Sequence, residues 1–282
     1  MKQQHGIALI QILLIASILS VLALYLTQTA REQVKVAQWF DDKSTALVNL
    51  HSAESDLLFL LLTETKNETL SKKLPQANFF NKPFQLNKSV KVSMQDQAGL
   101  LNAHFPDVNL LNKLVELTDG GMFAKFSDVF HDWQDLDSIA SPSGEENQFT
   151  RNGKIPYSAD LIHIKNISPK LYKVLQNNMS IYLTGYYNPM NSPLNLLQAL
   201  SGNDIAQEIT KLRDSGELTK RKFKELTGLI ENDDMFFHPS NNIAITLTST
   251  VGESVVEKKI IVKISPYAVL DVSPVAIMYT RS

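Results

Sequence analysis

Ile7 to Leu26 reads IALIQILLIASILSVLALYL, a run without formal charge interrupted only by Gln11, Ser17, Ser20 and the phenol of Tyr25. At helical rise such a run covers about 30 Å, the thickness of a bilayer core, and predicts a membrane-spanning helix. The helical pattern continues past it. No proline or glycine occurs from Ile7 to Thr65, and apolar residues recur at three- and four-residue steps through Val36, Phe40, Leu47, Leu50, Ala53, Leu57 and Leu61. Arg31, Glu32, Lys35, Asp41, Asp42 and Lys43 fill much of the surface between them. The expectation is one continuous helix of about 90 Å, its first half in lipid and its second half laid on a globular body by that stripe.

The remaining chain changes texture twice. Phe84 to Met94 alternates as one strand ahead of a turn at Asp96 to Gly99. Short helical periods then follow at Val108–Leu117, Met122–Trp133, Lys170–Asn177, Pro193–Leu200, Asp204–Ser215 and Lys220–Glu231. Alternation returns in Ile243–Ser249 and Val255–Ile264 around Gly252, a hairpin pattern, with Ala276–Thr280 as an edge strand. β-structure therefore brackets a helical block.

Composition narrows the function classes. With 27 basic and 29 acidic residues the net charge is −2, without the basic surplus of a nucleic-acid binder. Cysteine is absent, which removes disulfides, thiol catalysis and thiolate metal sites. The chain carries no G-x-S-x-G elbow, P-loop or H-E-x-x-H, and no two of its six histidines pair at helical spacing, so it is expected not to be an enzyme. The residue-level alternatives for the N-terminus are an ordinary single-pass anchor and an uncleaved signal sequence.

Several runs, taken in order, resemble the type IV pilin superfamily, and within it the minor pseudopilins of the K type from type II secretion systems. A leader of MKQQHG ends in Gly6 directly before Ile7, as at a prepilin peptidase cleavage site. Gln11 stands at the fifth mature position, where most of the family has glutamate. Met94–Asn102 resembles the family's turn into its insertion, Phe130–Asp137 its D-W-x-D-x-D run followed by Gly144-Glu145, and Leu161–Ser168 a third segment, with Asn166 where glycine is usual. Asn188–Pro193 and Leu197–Gly202 resemble two further runs, so the likeness extends over nearly the whole chain.

The resemblance implies an α+β fold: a pilin-like long N-terminal helix on a small antiparallel sheet, with a large all-α domain inserted in the head. The expected division is a leader at 1–6, a transmembrane part at 7–26 and a periplasmic helix at 27–65. A pilin-like α/β head at 66–106 and 236–282 then holds an inserted helix-hairpin-helix domain at 107–235. It also implies cleavage between Gly6 and Ile7, methylation of the new N-terminus, and a single-pass location in the inner membrane with a periplasmic head. The implied role is to cap or initiate the pseudopilus together with I- and J-type minor pseudopilins. At Gln11 an amide cannot neutralise a neighbouring subunit's amine as a carboxylate would. A minor pilin of a surface type IV pilus and a membrane-anchored periplasmic enzyme are the rival readings.

One constellation carries candidate chemistry. Asp132, Asp135, Asp137, Glu145 and Glu146 gather around a Ser-Pro-Ser-Gly turn. Hard cations take six to eight oxygens, so a structural calcium ion is the expected occupant; EF-hand spacing is missing, and the bland reading is a solvated acidic loop. His131 adjoins the run. Trp39 and Trp133 read as packing anchors. Few cations accompany the helix-hairpin-helix pattern (Lys165, Lys170, Lys173), which argues against nucleic acid, and Lys220-Arg221-Lys222 with Lys224 reads as a solvated helix face.

Overall fold

The computed structural model describes residues 5–66, 69–120, 125–269 and 271–281. Met1 to Gln4 of the expected leader, and Met122 at the start of one expected helix, lie outside them. α1 runs unbroken from His5 to Thr63, 59 residues or about 90 Å. Every residue from Ile7 to Gln28 is exposed, and a window within this stretch has a mean hydropathy of 2.8. Among the described residues nothing covers this apolar surface, which is long and apolar enough to cross a membrane.

The C-terminal third of α1 packs on a five-stranded antiparallel sheet ordered β1 (Phe84–Gln85), β2 (Val90–Asp96), β5 (Asn242–Val251), β6 (Ser254–Ile264) and β7 (Val275–Arg281). Leu50, Ala53, Leu57 and Leu61 interlock with Val92, Met94, Ile245, Leu247, Ile260 and Val262, all buried. Alternation along β6 puts Ile260, Val262 and Ile264 on the helix side. A half-buried ion pair, Lys258 to Glu54 at 2.5 Å, closes the flank. Gly252 turns the β5–β6 hairpin at φ +54°, and a side chain there would collide with the Asp42 carboxylate of α1.

That contact corrects the expected stripe. Val36 and Phe40 are 60% and 65% exposed, Leu47 is 38% exposed, and Trp39 is 47% exposed. The sheet is only as long as its strands: the eleven residues of β6 span about 36 Å, which covers about 24 residues of helix. Val36 and Trp39 lie level with the hairpin tip, where Ser254 Oγ donates to the Trp39 carbonyl at 3.4 Å, and the strands cover neither them nor Phe40, while Leu47 is only partly covered. The packed face is Ala46, Leu50, Ala53, Leu57 and Leu61.

The expected single strand at 84–94 is a hairpin instead. The Asn87 side chain accepts from the amides of Ser89 (3.0 Å) and Val90 (2.9 Å), which folds the chain back and splits the run. Between β2 and β5 lies the helical lobe: α3 (Val108–Asp119), α4 (Phe126–Asp132), α5 (Pro169–Asn178), α6 (Leu194–Ser201), α7 (Asn203–Asp214) and α8 (Lys220–Thr227). α2 (Thr69–Lys73) belongs to the head, and β3 (Leu101–Asn102) pairs with β4 (Met179–Ser180) in parallel inside the lobe.

Local chemistry sets these boundaries. Asp107, Ser168 and Thr219 cap α3, α5 and α8, and α8 stops short of the expected Glu231 because Gly228 enters the left-handed region at φ +73°. Asn166 takes φ +62°, a left-handed conformation that asparagine tolerates better than most residues. The lobe has two cores. One joins Leu111, Leu114, Phe126, Phe130, Leu171 and Leu175; the other joins Leu197, Ala206, Ile209, Phe223 and Phe237. Leu101 and Ala103 pack with the first, so the helical lobe draws in chain on both sides of 107–235.

Candidate acidic site and the buried junction

The acidic run follows the end of α4 and wraps over it. Asp132 is fully buried and accepts from the Ser141 amide (3.0 Å) and hydroxyl (2.6 Å). Gly144 lies so close to this carboxylate that a Cβ would overlap it. Asp137 accepts from the Ile139 amide at 2.8 Å, and its carbonyl accepts from Asn152 Nδ2 at 3.2 Å. His131 Nε2 lies 3.5 Å from Asp135 Oδ2.

Four side-chain oxygens in this loop are buried without a hydrogen-bond partner: Gln134 Oε1, Asp135 Oδ1, Glu146 Oε1 and Asn152 Oδ1. Burial, then Asp137 and Asp132, push the Asp135 carboxyl above its usual range, with His131 opposing. Burial, then Asp135, Asp132 and Asp137, push Glu146 up as well. Asp132, Asp135, Asp137 and Glu146 thus feel one another's charge. Glu145 does not join them; it pairs with Lys165 at 2.5 Å, which holds its carboxyl below the usual range.

Among the described residues no three histidine, aspartate or glutamate side chains converge at metal-binding geometry. The donor set is nevertheless all oxygen, anionic and partly unsatisfied, which is the chemistry a hard cation requires. Asn152 and Gln134 are neutral donors that charge density along the sequence does not reveal. Asn152, at φ +49° before Gly153, carries only a turn signal.

Several of the cations weighed for a nucleic-acid surface already have partners. Lys170 donates to the Thr118 carbonyl, and Lys220, Arg221 and Lys222 pair with Glu231, Glu225 and Glu217. Trp133 packs partly buried against the first lobe core. Gly6 and Gln11 lie in α1, with Ile7 and Gln11 exposed along the apolar stretch.

A second buried carboxylate joins the two lobes. Asp96, at the end of β2 and fully buried, accepts through Oδ1 from Ala98 N (3.1 Å), Ser240 N (3.0 Å) and Ser240 Oγ (2.6 Å). Through Oδ2 it accepts from Asn188 and Asn191 Nδ2, each at 3.0 Å. Gly99 completes the junction, since a Cβ there would stand 2.6 Å from the Asn191 carbonyl oxygen. Lys66, just past α1, donates to the Ser240 carbonyl at 2.5 Å. Arg213 lies over the Phe80 ring at 4.8 Å, and Lys82 pairs with Asp214 at 2.8 Å. One residue therefore pins the point where the chain leaves the sheet, the point where it returns, and the Asn188–Asn191 segment between them.

No protein-family model and no curated protein sequence matches this chain. Among solved structures, a chain of the GspK-GspI-GspJ complex from the type 2 secretion system of enterotoxigenic Escherichia coli is similar to it. The TM-score is 0.54 at 15% identity, over 86% of this chain and 96% of that one. The protein has the α+β fold of that secretion-system subunit: a long N-terminal helix on a small antiparallel sheet, with a helical lobe built into the head.

Proposed function

We propose that this protein is a minor pseudopilin of the K type, a non-catalytic subunit that caps or initiates the periplasmic pseudopilus of a type II secretion system. α1 carries this reading. Its first twenty apolar residues have no cover among the described residues, and its last third is the spine of the head. A lipid bilayer supplies the missing solvent for Ile7–Leu26 and sets the head in the periplasm beside the inner membrane. Prepilin peptidase releases the chain between Gly6 and Ile7, and the new terminus is methylated. I- and J-type pseudopilins pack against the part of α1 that the sheet leaves open, where Val36 and Phe40 are exposed. A head enlarged by the helical lobe suits a single copy at a filament end better than a repeated position around a tight helix. Gln11 fits the same place, since a terminal subunit need not neutralise the amine of a neighbour.

Calcium belongs to this reading as a structural clamp. Asp132, Asp135, Asp137 and Glu146, with Asn152, would hold it, and its charge would relieve the crowding that disfavours ionised Asp135 and Glu146. Glu145 would join only by giving up Lys165.

Three experiments test the proposal. Gly6→Ala, expressed with a prepilin peptidase, should remain at precursor length while the parent chain is shortened. Identical intact N-termini in both would remove the pilin reading. Co-purification with candidate I- and J-type pseudopilins should give a stable complex that Phe40→Glu weakens; absence of any complex would count against the tip role. For calcium, chelator should lower the thermal midpoint of the parent and leave Asp135→Asn/Glu146→Gln unchanged. An unchanged parent midpoint would exclude the clamp.

A further inference from the structure

A cleft of about 530 Å³ opens where α1 ends. Its walls come from Leu61–Lys66, from Leu183, Thr184 and Tyr186 of the helical lobe, and from the return segment His238–Asn242, with Lys263 and Tyr267 also lining it. Lys66 and Lys263 make the lining cationic, and His238 lines it as well. Glu64, the acidic residue of the lining, is already paired with Lys73. Among the described residues no carboxylate lies within ion-pair distance of Lys66 or Lys263.

Among the described residues, Lys66 is desolvated without an ion-paired carboxylate. Its ammonium donates to the Ser240 carbonyl (2.5 Å) and to Asn241 Oδ1 (2.8 Å), both neutral, which leaves its third N–H for the cleft. Burial lowers its pKa from 10.5 to about 8, and Asp96, held by its own five donors, opposes this only in part. The Tyr186 hydroxyl lies 3.0 Å from His238 Nδ1, so the imidazole is fixed in place on the same lining, and Leu62 and the two tyrosines add apolar and aromatic surface.

We propose that this cleft binds a carboxylate presented beside an apolar or aromatic group, the carboxylate taking the free donor of Lys66 with Lys263 as second cation. Such a ligand supplies a charge that no described residue pairs with Lys66 and converts a costly ammonium into a charge-assisted pair. An acidic side chain of a partner protein and a free small carboxylate share this chemistry. The proposal stands apart from the pseudopilin reading, because Lys66, Lys263 and His238 take no part in its anchoring, cleavage or stalk packing.

The test uses the full chain in detergent micelles, with lysine acetylation by acetic anhydride followed residue by residue by mass spectrometry across pH. The probes are acetyl-Glu-Phe-amide, its Gln counterpart and sodium acetate. The Glu probe should slow acetylation of Lys66 saturably. By linkage, about tenfold preference for the protonated amine raises the pH midpoint of Lys66 labelling from about 8 to about 9. The Gln probe should do neither, and the exposed-site variant Lys263→Gln should weaken protection without disturbing the fold. Equal saturable protection by acetate assigns the cleft to free carboxylates; protection by the Glu probe alone assigns it to a protein side chain. Equal protection by the Glu and Gln probes, or by neither, overturns the proposal.

Discussion

Replacing Asp96 should uncouple the two lobes. The carboxylate is fully buried and accepts five hydrogen bonds. In Asp96→Asn the amide must turn one way or the other. Toward Asn188 and Asn191 it sets donor against donor; Asn191 can rotate, but Asn188 also donates to the His238 carbonyl at 2.9 Å and cannot. Toward Ser240 and Ala98 it meets two backbone amides. Either orientation forfeits about two charge-assisted bonds, worth about 1.5–3 kcal/mol each before relaxation, so we expect a loss of about 3 kcal/mol. Asp96→Ala removes the shared acceptor of all five bonds, leaving Asn188 only the His238 carbonyl and Ser240 Oγ only the Asn242 carbonyl, and should cost about 5 kcal/mol. The assay is urea unfolding of the full chain in micelles, with two single-tryptophan backgrounds. Trp39 reports the head beside the hairpin tip and Trp133 reports the helical lobe. With Asp96 present the two transitions should coincide; in Asp96→Ala they should separate, with midpoints lowered by about 1–2 M. A loss below about 1 kcal/mol, or coincident transitions in Asp96→Ala, would refute the assignment of this residue as the joint.

Other expectations are simpler. Leu57→Ala, at a fully buried position of α1, should cost about 2–5 kcal/mol in urea unfolding, whereas Phe40→Ala, 65% exposed, should cost less than about 0.5 kcal/mol; equal losses would mean that the head covers more of α1 than described. Lys66 has a folded-state pKa below its unfolded value, so the unfolded chain binds more protons between pH 8 and 10.5 and stability should rise across that window. The full gap corresponds to about 3 kcal/mol, and Lys66→Met should flatten the profile; a fall in stability over the same range would contradict the sign. Gly144→Ala should expel the loop from Asp132, seen as faster amide exchange at Ser141, while Ser143→Ala should not; unchanged exchange in both would show that the loop tolerates a wider path.

Some features were legible from the sequence because their cause is local. The absence of glycine and proline from Ile7 to Thr65 marks α1, and the apolar, β-branched runs on either side of Gly252 mark β5 and β6. Density of charge marks the acidic loop. What stayed hidden depends on distant partners. Glu145 looks like its neighbours until Lys165, twenty positions on, takes it away. Gln134 and Asn152 are neutral and leave no trace in a count of carboxylates. The stripe of α1 runs past the sheet because periodicity reports that a face is apolar, not what meets it. Asp96, Asn188, Asn191 and Ser240 are ordinary polar residues along the chain, and only the fold makes them one site. The split at Asn87 shows the opposite case, where one side chain bonding two nearby amides overrides an otherwise continuous alternation.

The pairing of Asp96 with Ile243 makes β2 and β5 a hairpin whose connection is the entire helical lobe. Closing a loop of that length costs only about 3 kcal/mol more than closing a five-residue turn, because the penalty grows with the logarithm of length. Time is the larger burden. Strands so far apart cannot meet until the chain between them has compacted, so the lobe must fold first and bring its own ends together. The sheet, and with it the seat of α1, is then the last part to assemble. A chain already held at one end by its anchor would complete its head only after the helical lobe had formed away from the membrane.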